Sequence, residues 1–242
     1  MASSPSLHAR RRLLTDDELD GVPWLRPLTA DERDRVAPQL RIGDAEPGEL
    51  ICRRGRTATY WFGVVDGLLK MSTETADGHT ITYSGLTAGG WFGEGTVMKR
   101  EPYRYNVQAL RKSRVAGLPL DTFQWLLDHS LGFNRFVMNQ LNERLAQFIA
   151  TIEADRTPNP EQRVARNLAA LANPVLFPGV GDLLRITQQE LAYLVGLSRQ
   201  RVNEALKHLA TAGVLQIEYG GLRILDRAAL RTRHFGDASD SG

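Results

Sequence analysis

Apolar residues change their period along this chain. Between Leu40 and Leu120 they come in short runs: "ELIC", "YWFGVV", "LLKMS", "TITYSGL", "YNVQAL" and "RVAGLPL". Glycines at 43, 48, 55, 63, 67, 78, 85, 89, 90, 93 and 95 punctuate this region. Short strands with turn residues at this density predict a compact all-β roll or barrel. "ADGHTI" predicts a hairpin, because Asp77-Gly78 takes positive φ at little cost.

After Pro119 the period becomes helical. "DTFQWLLDHS" predicts a short helix. "GFNRFVMNQLNERLAQFIATIEADRT" then runs for about seven turns with no Gly or Pro after Gly132. Met138, Leu141, Leu145, Phe148 and Ile152 are spaced 3, 4, 3 and 4, the repeat of a coiled-coil seam, and form the expected dimer interface. Phe133, Val137 and Ile149 lie beside the seam and are expected to pack on the β domain. An ordinary core helix with a wide apolar face is the alternative. "RTPNPEQ" ends the helix with two prolines in three residues and predicts a hinge. "EQRVARNLAALA" predicts the next helix. Upstream, Thr29 and Glu32 predict a capping box at the start of "TADERDRVAPQL".

The stretch "ITQQELAYLVGLSRQRVNEALKHL", residues 186–209, holds two helical patterns joined by a glycine. Thr187 and Glu190 predict a capping box. Leu191, Leu194 and Val195 share one side. Gly196 stops the helix in the left-handed region, Leu197 plugs the corner and Ser198 caps the second helix. This is the layout of a helix-turn-helix. In the second helix Val202, Ala205, Leu206 and Leu209 fall at i, i+3, i+4 and i+7 and are expected to be buried. Gln200, Asn203, Glu204 and Lys207 point the other way, with Arg199 and Arg201 at the N-terminal end. Such side chains reach base edges and phosphates in a groove about 12 Å wide. "GVLQIEYGGLRILD" follows, two alternating runs around Gly220-Gly221, which predicts a β-hairpin wing. A small helical domain with a solvated basic face is the bland alternative.

Composition changes this picture little. The chain has 242 residues, enough for two modest domains, and a net charge of +2. From Thr157 to Phe235 there are 10 Lys and Arg against 6 Asp and Glu, an excess of four that favours a polyanionic partner. Cys52 is the single cysteine, which excludes an intrachain disulfide and an iron–sulfur cluster, since a cluster takes about four thiolates. His8, His79, His129, His208 and His234 show no metal-ligand spacing. His79 stays open as a haem ligand with no further support. The arginines near the N-terminus have no apolar run behind them, so no signal peptide is expected, and no run approaches a membrane span. A cytoplasmic protein without membrane partners is the expectation.

Enzyme chemistry finds no anchor. "GGWFGEGT" lacks the Lys-Ser/Thr ending of a Walker loop, and "GLSRQ" lacks the last glycine of a nucleophile elbow. Asp16-Asp17 sit in the N-terminal arm. No catalytic residue is assigned.

Taken with these motifs, the order of elements resembles the cyclic-AMP receptor protein/FNR (Crp/Fnr) family of bacterial transcription regulators. "SRQRVNEAL" looks like the family's recognition helix, and "WFGEGTVMKREPYRYNV" looks like its phosphate cassette. The resemblance implies an α+β fold with an N-terminal β-roll, a jelly roll like cyclic-nucleotide-binding domains, then a long dimerisation helix and a C-terminal winged helix-turn-helix. The expected divisions are an arm at 1–27, the roll at 28–128, the dimer helix at 129–156, the DNA-binding domain at 157–230 and a tail at 231–242. The implied partners are double-stranded DNA and a second copy of the chain, with RNA polymerase as a further candidate. Thr187, Gln188, Ser198, Arg199, Gln200, Arg201, Asn203 and Lys207 are the expected DNA-contacting residues, with Arg199 and Gln200 reading bases. The family often has Arg where Glu204 stands; Glu204 can accept from cytosine N4 or repel phosphate.

In nucleotide-responsive members a Gly-Glu pair and a later Arg hold phosphate, and Gly93, Glu94, Gly95, Arg104 and Tyr105 fall at those places. Backbone N–H groups around Gly93 to Gly95 would cradle the phosphate, Arg104 would neutralise it, and Glu94 would accept from a ribose hydroxyl. Tyr105 replaces the family's Ser or Thr. Phe148 and Ile149 stand where cyclic-AMP binders place hydroxyl residues. The effector is therefore left open between cyclic AMP, another nucleotide such as a cyclic dinucleotide, and a roll with no physiological ligand in which Arg104 makes an ordinary ion pair.

Overall fold

The structure, a computed structural model, describes residues 11–155 and 159–232. The chain divides into two compact units. The first comprises residues up to Asn142 together with Val175–Gly179; the second comprises Glu143–Pro174 and the chain from Val180 onward.

In the first unit, β1 (Arg12–Leu13), β2 (Arg41–Ala45), β4 (Tyr60–Asp66), β7 (Trp91–Phe92) and β9 (Ser113–Pro119) form one sheet in the order β1-β2-β9-β4-β7. The second sheet has β3 (Leu50–Cys52), β5 (Leu69–Glu74), β6 (Thr80–Leu86) and β8 (Asn106–Ala109) in the order β3-β8-β5-β6. Every pairing is antiparallel. Strands β3, β4, β5, β6, β8 and β9 are the apolar runs of the glycine-rich region, whereas β1, β2 and β7 lie outside those runs. The β5–β6 hairpin turns through Gly78 at φ +84°. The helices of this unit are α1 (Asp16–Asp20), α2 (Ala30–Val36), α3 (Glu94–Lys99), α4 (Leu120–His129) and the first half of α5 (Leu131–Asp155). Thr29 and Glu32 make the expected capping box of α2.

The N-terminal stretch differs from the expected arm. Its first ten residues lie outside the described residues, but from Arg11 on the chain is built into this unit. Strand β1 pairs with β2, and Thr15 and Glu18 cap α1 reciprocally. Glu18 accepts from Arg12 at 2.7 Å and lies 3.4 Å from Arg114. The Arg12 hydrogen bond holds the Glu18 carboxyl down at about 2. Because its folded value lies below the reference of 4.5, its stabilisation is complete above that pH and is lost as pH falls towards 2. Glu18→Gln is therefore expected to lower stability at pH 7 and to leave it nearly unchanged at pH 2, measured by urea denaturation at both.

Trp24 is the larger reason the arm is fixed. It is fully buried, with ring centroids 5.7 Å from Trp61, 5.3 Å from Trp91 and 5.6 Å from Phe133. Phe123 of α4 joins through Trp61 at 5.1 Å. Arm, sheet, α4 and α5 thus share one aromatic core, and such pairs add about 0.5–1.5 kcal/mol each beyond burial. Alpha-carbon space is equally tight at the start of α5. A Cβ on Gly132 would lie 2.1 Å from the Pro27 carbonyl oxygen, a backbone atom that cannot swing away. Gly132→Ala is expected to cost about 1–3 kcal/mol, read from the urea midpoint.

On α5, Phe133 and Val137 are buried as expected. Ile149 is not: it is 50% exposed. Sixteen residues at about 100° each turn it some 160° away from Phe133, so it belongs with the seam. That seam is an open apolar stripe, with Met138 58%, Leu145 60%, Phe148 44% and Ile152 63% exposed; Leu141 is half-buried.

The second unit begins within α5, upstream of the expected hinge, whose residues 156–158 lie outside the described residues. Helix α6 (Pro160–Leu171) starts with Asn159 as cap and Pro160 in its first turn. Helices α7 (Gln188–Val195) and α8 (Arg199–Thr211) pack on it, and β10 (Leu183–Leu184), β12 (Gly221–Ile224) and β11 (Leu215–Glu218) form a small antiparallel sheet in that order. Helix α9 (Arg227–Thr232) also packs on α6 and includes the first two residues of the expected tail; the rest of the tail lies outside the described residues.

Candidate nucleic-acid interface and effector cassette

The helix-turn-helix is built locally, residue by residue. Thr187 accepts from the Glu190 amide, and Glu190 accepts from the Thr187 amide. Gly196 ends α7 at φ +65°, the left-handed conformation that a β-carbon disfavours. Ser198 accepts from the Arg201 amide and starts α8. Leu191, Leu194, Val195, Val202, Ala205, Leu206 and Leu209 are all buried, so the two helices are locked through one apolar face; Leu197 is half-buried.

The opposite face of α8 is open. Arg199, Gln200, Arg201, Glu204 and Lys207 are exposed, and Arg199, Arg201 and Lys207 form no ion pair among the described residues. Gln200 donates to Glu204 at 3.0 Å, which ties up the one acid on this face. Gln188 donates to half-buried Asn203 at 3.1 Å and so joins α7 to α8. Arg199, Gln200, Arg201 and Lys207, together with the caps Thr187 and Ser198, lie on these two helices within one short stretch. The wing forms as expected, turning at Gly220, φ +75°. Two features were missed. Strand β10 adds a third strand to the wing, and Tyr219 stands fully exposed at its tip. A two-residue strand leaves no periodic trace, but an aromatic beside a Gly-Gly turn was legible.

The cassette residues are only partly gathered. Gly93, at φ +86°, caps α3, and Tyr105 Oη would lie 3.5 Å from a Cβ there. Glu94 is buried, whereas Gly95 is exposed. The amides of Thr96 and Val97 donate to the Gly93 carbonyl. Arg104 points out: its side chain is 77% exposed and paired with Glu101 at 2.9 Å. Gln124 of α4 donates to the Val97 carbonyl at 2.6 Å, fastening the cassette helix to the element before α5. Cys52 is buried, and burial pushes its thiol up to about 12, far from a reactive thiolate at neutral pH. Among the described residues no His, Cys, Asp or Glu cluster could hold a metal ion, and no helix is long and apolar enough to cross a membrane.

Comparison with known proteins decides the family. A cyclic nucleotide-binding domain is matched over residues 44–130 and a Crp-like helix-turn-helix domain over residues 162–233. The chain belongs to the Crp/Fnr family of transcription regulators. Among its relatives, the transcriptional regulator SdrP of Thermus thermophilus is 27% identical over 172 residues, 70% of this chain and 81% of that protein. The CRP-like cAMP-activated global transcriptional regulator of Mycobacterium tuberculosis is 26% identical over 209 residues, 82% of this chain and 90% of that one. The solved structure of FixK2 from Bradyrhizobium japonicum superposes with a TM-score of 0.61 at 17% identity, covering 78% of this chain and 94% of FixK2. As a Crp/Fnr protein the chain thus combines the N-terminal roll and the C-terminal helix-turn-helix in the α+β arrangement expected from its sequence.

Proposed function

We propose that this chain is a homodimeric regulator that binds a pseudo-palindromic promoter site. The observation that carries the reading is the outer face of α8: three exposed cations without ion pairs among the described residues, on a helix whose other face is buried. Arg199 and Gln200 read base edges, Arg201 and Lys207 hold phosphate, and Thr187, Gln188, Ser198 and Asn203 set the helix against the backbone. Two copies join through Met138, Leu141, Leu145, Phe148 and Ile152. The paired α8 helices then meet half-sites about 34–36 Å apart, one turn of DNA. RNA polymerase is a further partner, and the cytoplasm is where such a complex works. The proposed roles divide at the proline-bounded hinge, with sensing before it and DNA binding after it. Catalysis has no place in this scheme.

An effector in the roll, held by Gly93, Glu94, Gly95, Arg104 and Tyr105, would act through α3, Gln124 and α4 on α5, shifting the population of dimers whose spacing fits the site. One observation favours a second reading, a regulator whose roll has no physiological ligand: Arg104 is already satisfied by Glu101 in solvent. Footprinting of the full chain on DNA selected from a random pool tests the main reading. Two protected half-sites one turn apart are expected; equal affinity for selected and random DNA defeats it. Calorimetry with cyclic AMP and cyclic dinucleotides separates the two roll readings. Because an exposed pair is worth at most about 1 kcal/mol, Arg104→Ala is expected to keep the melting temperature, so any lost heat of binding reports the phosphate contact. No heat with any nucleotide favours the ligand-free roll.

A further inference from the structure

The second unit holds a cleft of about 230 Å³ between the second half of α5, α6 and α9, remote in sequence from both motifs discussed above. Its polar lining is Glu143, Gln147, Thr151, Arg166, Asn173 and Arg231; its apolar lining comes from alanines of α5 and α6. Two donors in it, Gln147 Nε2 and Arg166 Nη1, are shielded from solvent and have no hydrogen-bond partner among the described residues. Buried donors without acceptors are rare and costly, and each needs an explanation. Glu143 lines the same cleft but hydrogen-bonds neither donor; it accepts from Asn173 at 3.1 Å.

We propose that this cleft binds a small organic monocarboxylate. The chemistry selects the class. A carboxylate has two oxygens, enough to accept from the Arg166 guanidinium and the Gln147 amide together, and charge-assisted bonds of this kind are the strong ones. Arg231 adds a second positive charge, against the single negative charge of Glu143. The alanines suit an apolar remainder. The size selects the scale: a cavity of roughly 150 Å³ accommodates benzene, so an aromatic or short-chain acid fits and a nucleotide does not. The cleft also stays open in a dimer. Counting about 100° per residue, Glu143, Gln147 and Ala150 lie on the side of α5 opposite Leu145 and Ile152. A ligand there would bridge α5 to two helices of the DNA-binding unit.

The test uses the full-length protein and defined probes: benzoate and hexanoate, with benzamide as the uncharged control, titrated by ligand-observed NMR. Saturable binding of at least one acid is expected, with benzamide about tenfold weaker or worse for want of the charge-assisted bonds. Arg166→Gln is expected to weaken the acid by about tenfold or more. Ala169→Leu, which fills the cleft with a good helix former, is expected to abolish binding, and it keeps the test decisive should the arginine variant fold poorly. Arg104→Ala is expected to leave binding unchanged, which separates this cleft from the roll. No saturable binding of either acid means a water-filled cleft and overturns the proposal. So does acid binding that survives Ala169→Leu, or benzamide binding as tightly as benzoate.

Discussion

Leu145→Asp is expected to turn a dimer into a monomer and to weaken binding to a two-half-site operator by roughly a hundredfold or more. Leu145 is 60% exposed in the chain and stands at the middle of an apolar stripe that runs from Met138 to Ile152. Large apolar side chains in such a row are left open only where something covers them. The 3, 4, 3, 4 spacing fits the same stripe of a second copy, knob into hole. A carboxylate at the centre would meet its own symmetry mate across the seam, and burying like charges without partners costs several kcal/mol. The fold of each chain should survive, because the substituted side chain is exposed within it. Losing the dimer removes the second half-site, and tethering two modules is worth about 10²–10⁴ in apparent affinity. Sedimentation velocity and operator titration check the two halves of this expectation together. A variant of unchanged mass would remove the seam from the scheme.

How far the sequence reaches depends on how local the cause is. The helix-turn-helix was legible almost atom by atom, because a cap, a left-handed glycine and an i, i+3, i+4 face are decided within a few residues. Thr187, Gly196 and Ser198 act as their residue types require. The strands of the roll were legible as runs between glycines, although their pairing order was not, since register depends on partners far along the chain. Trp24 shows the limit. Nothing near it in sequence announces that three other aromatic rings will surround it, so a stretch fixed by long-range packing read as an arm. Ile149 was misplaced for a different reason: beside Phe148 in sequence is not beside Phe133 on a helix. Arg104 is intermediate. The family resemblance nominated it as a phosphate ligand, while the acid three residues before it, Glu101, offered the competing partner that the structure shows. The cleft lined by Arg166 and Gln147 was invisible, because its walls come from three helices separated in the chain.

Arg199→Ala should separate base reading from simple attraction to DNA. Arg199 opens α8 immediately after the Ser198 cap, where an N-terminal side chain of a recognition helix meets base edges. It is exposed and forms no ion pair among the described residues, so its removal should change folding stability by no more than about 0.5 kcal/mol. A bidentate Arg–guanine contact is worth about 1–3 kcal/mol, and a homodimer loses it at both half-sites. The operator affinity is therefore expected to fall by about tenfold to over a hundredfold, with discrimination relaxed at one base position in each half-site. Arg201→Ala and Lys207→Ala should behave otherwise. If they touch phosphate, both specific and random DNA weaken together and the salt dependence becomes shallower, by about one unit of slope for each contact removed. Glu204 sharpens the contrast. Held by Gln200 at 3.0 Å, it keeps that amide pointed along the helix and places a negative charge where phosphate cannot approach closely. Repulsion of the backbone there would confine attraction to the ends of α8 and make the operator choice depend more heavily on Arg199. Competition titrations at several salt concentrations, with selected and scrambled DNA, distinguish the two behaviours. If Arg199→Ala weakened both DNAs equally, the arginine would be a phosphate contact and base reading would have to pass to Gln200.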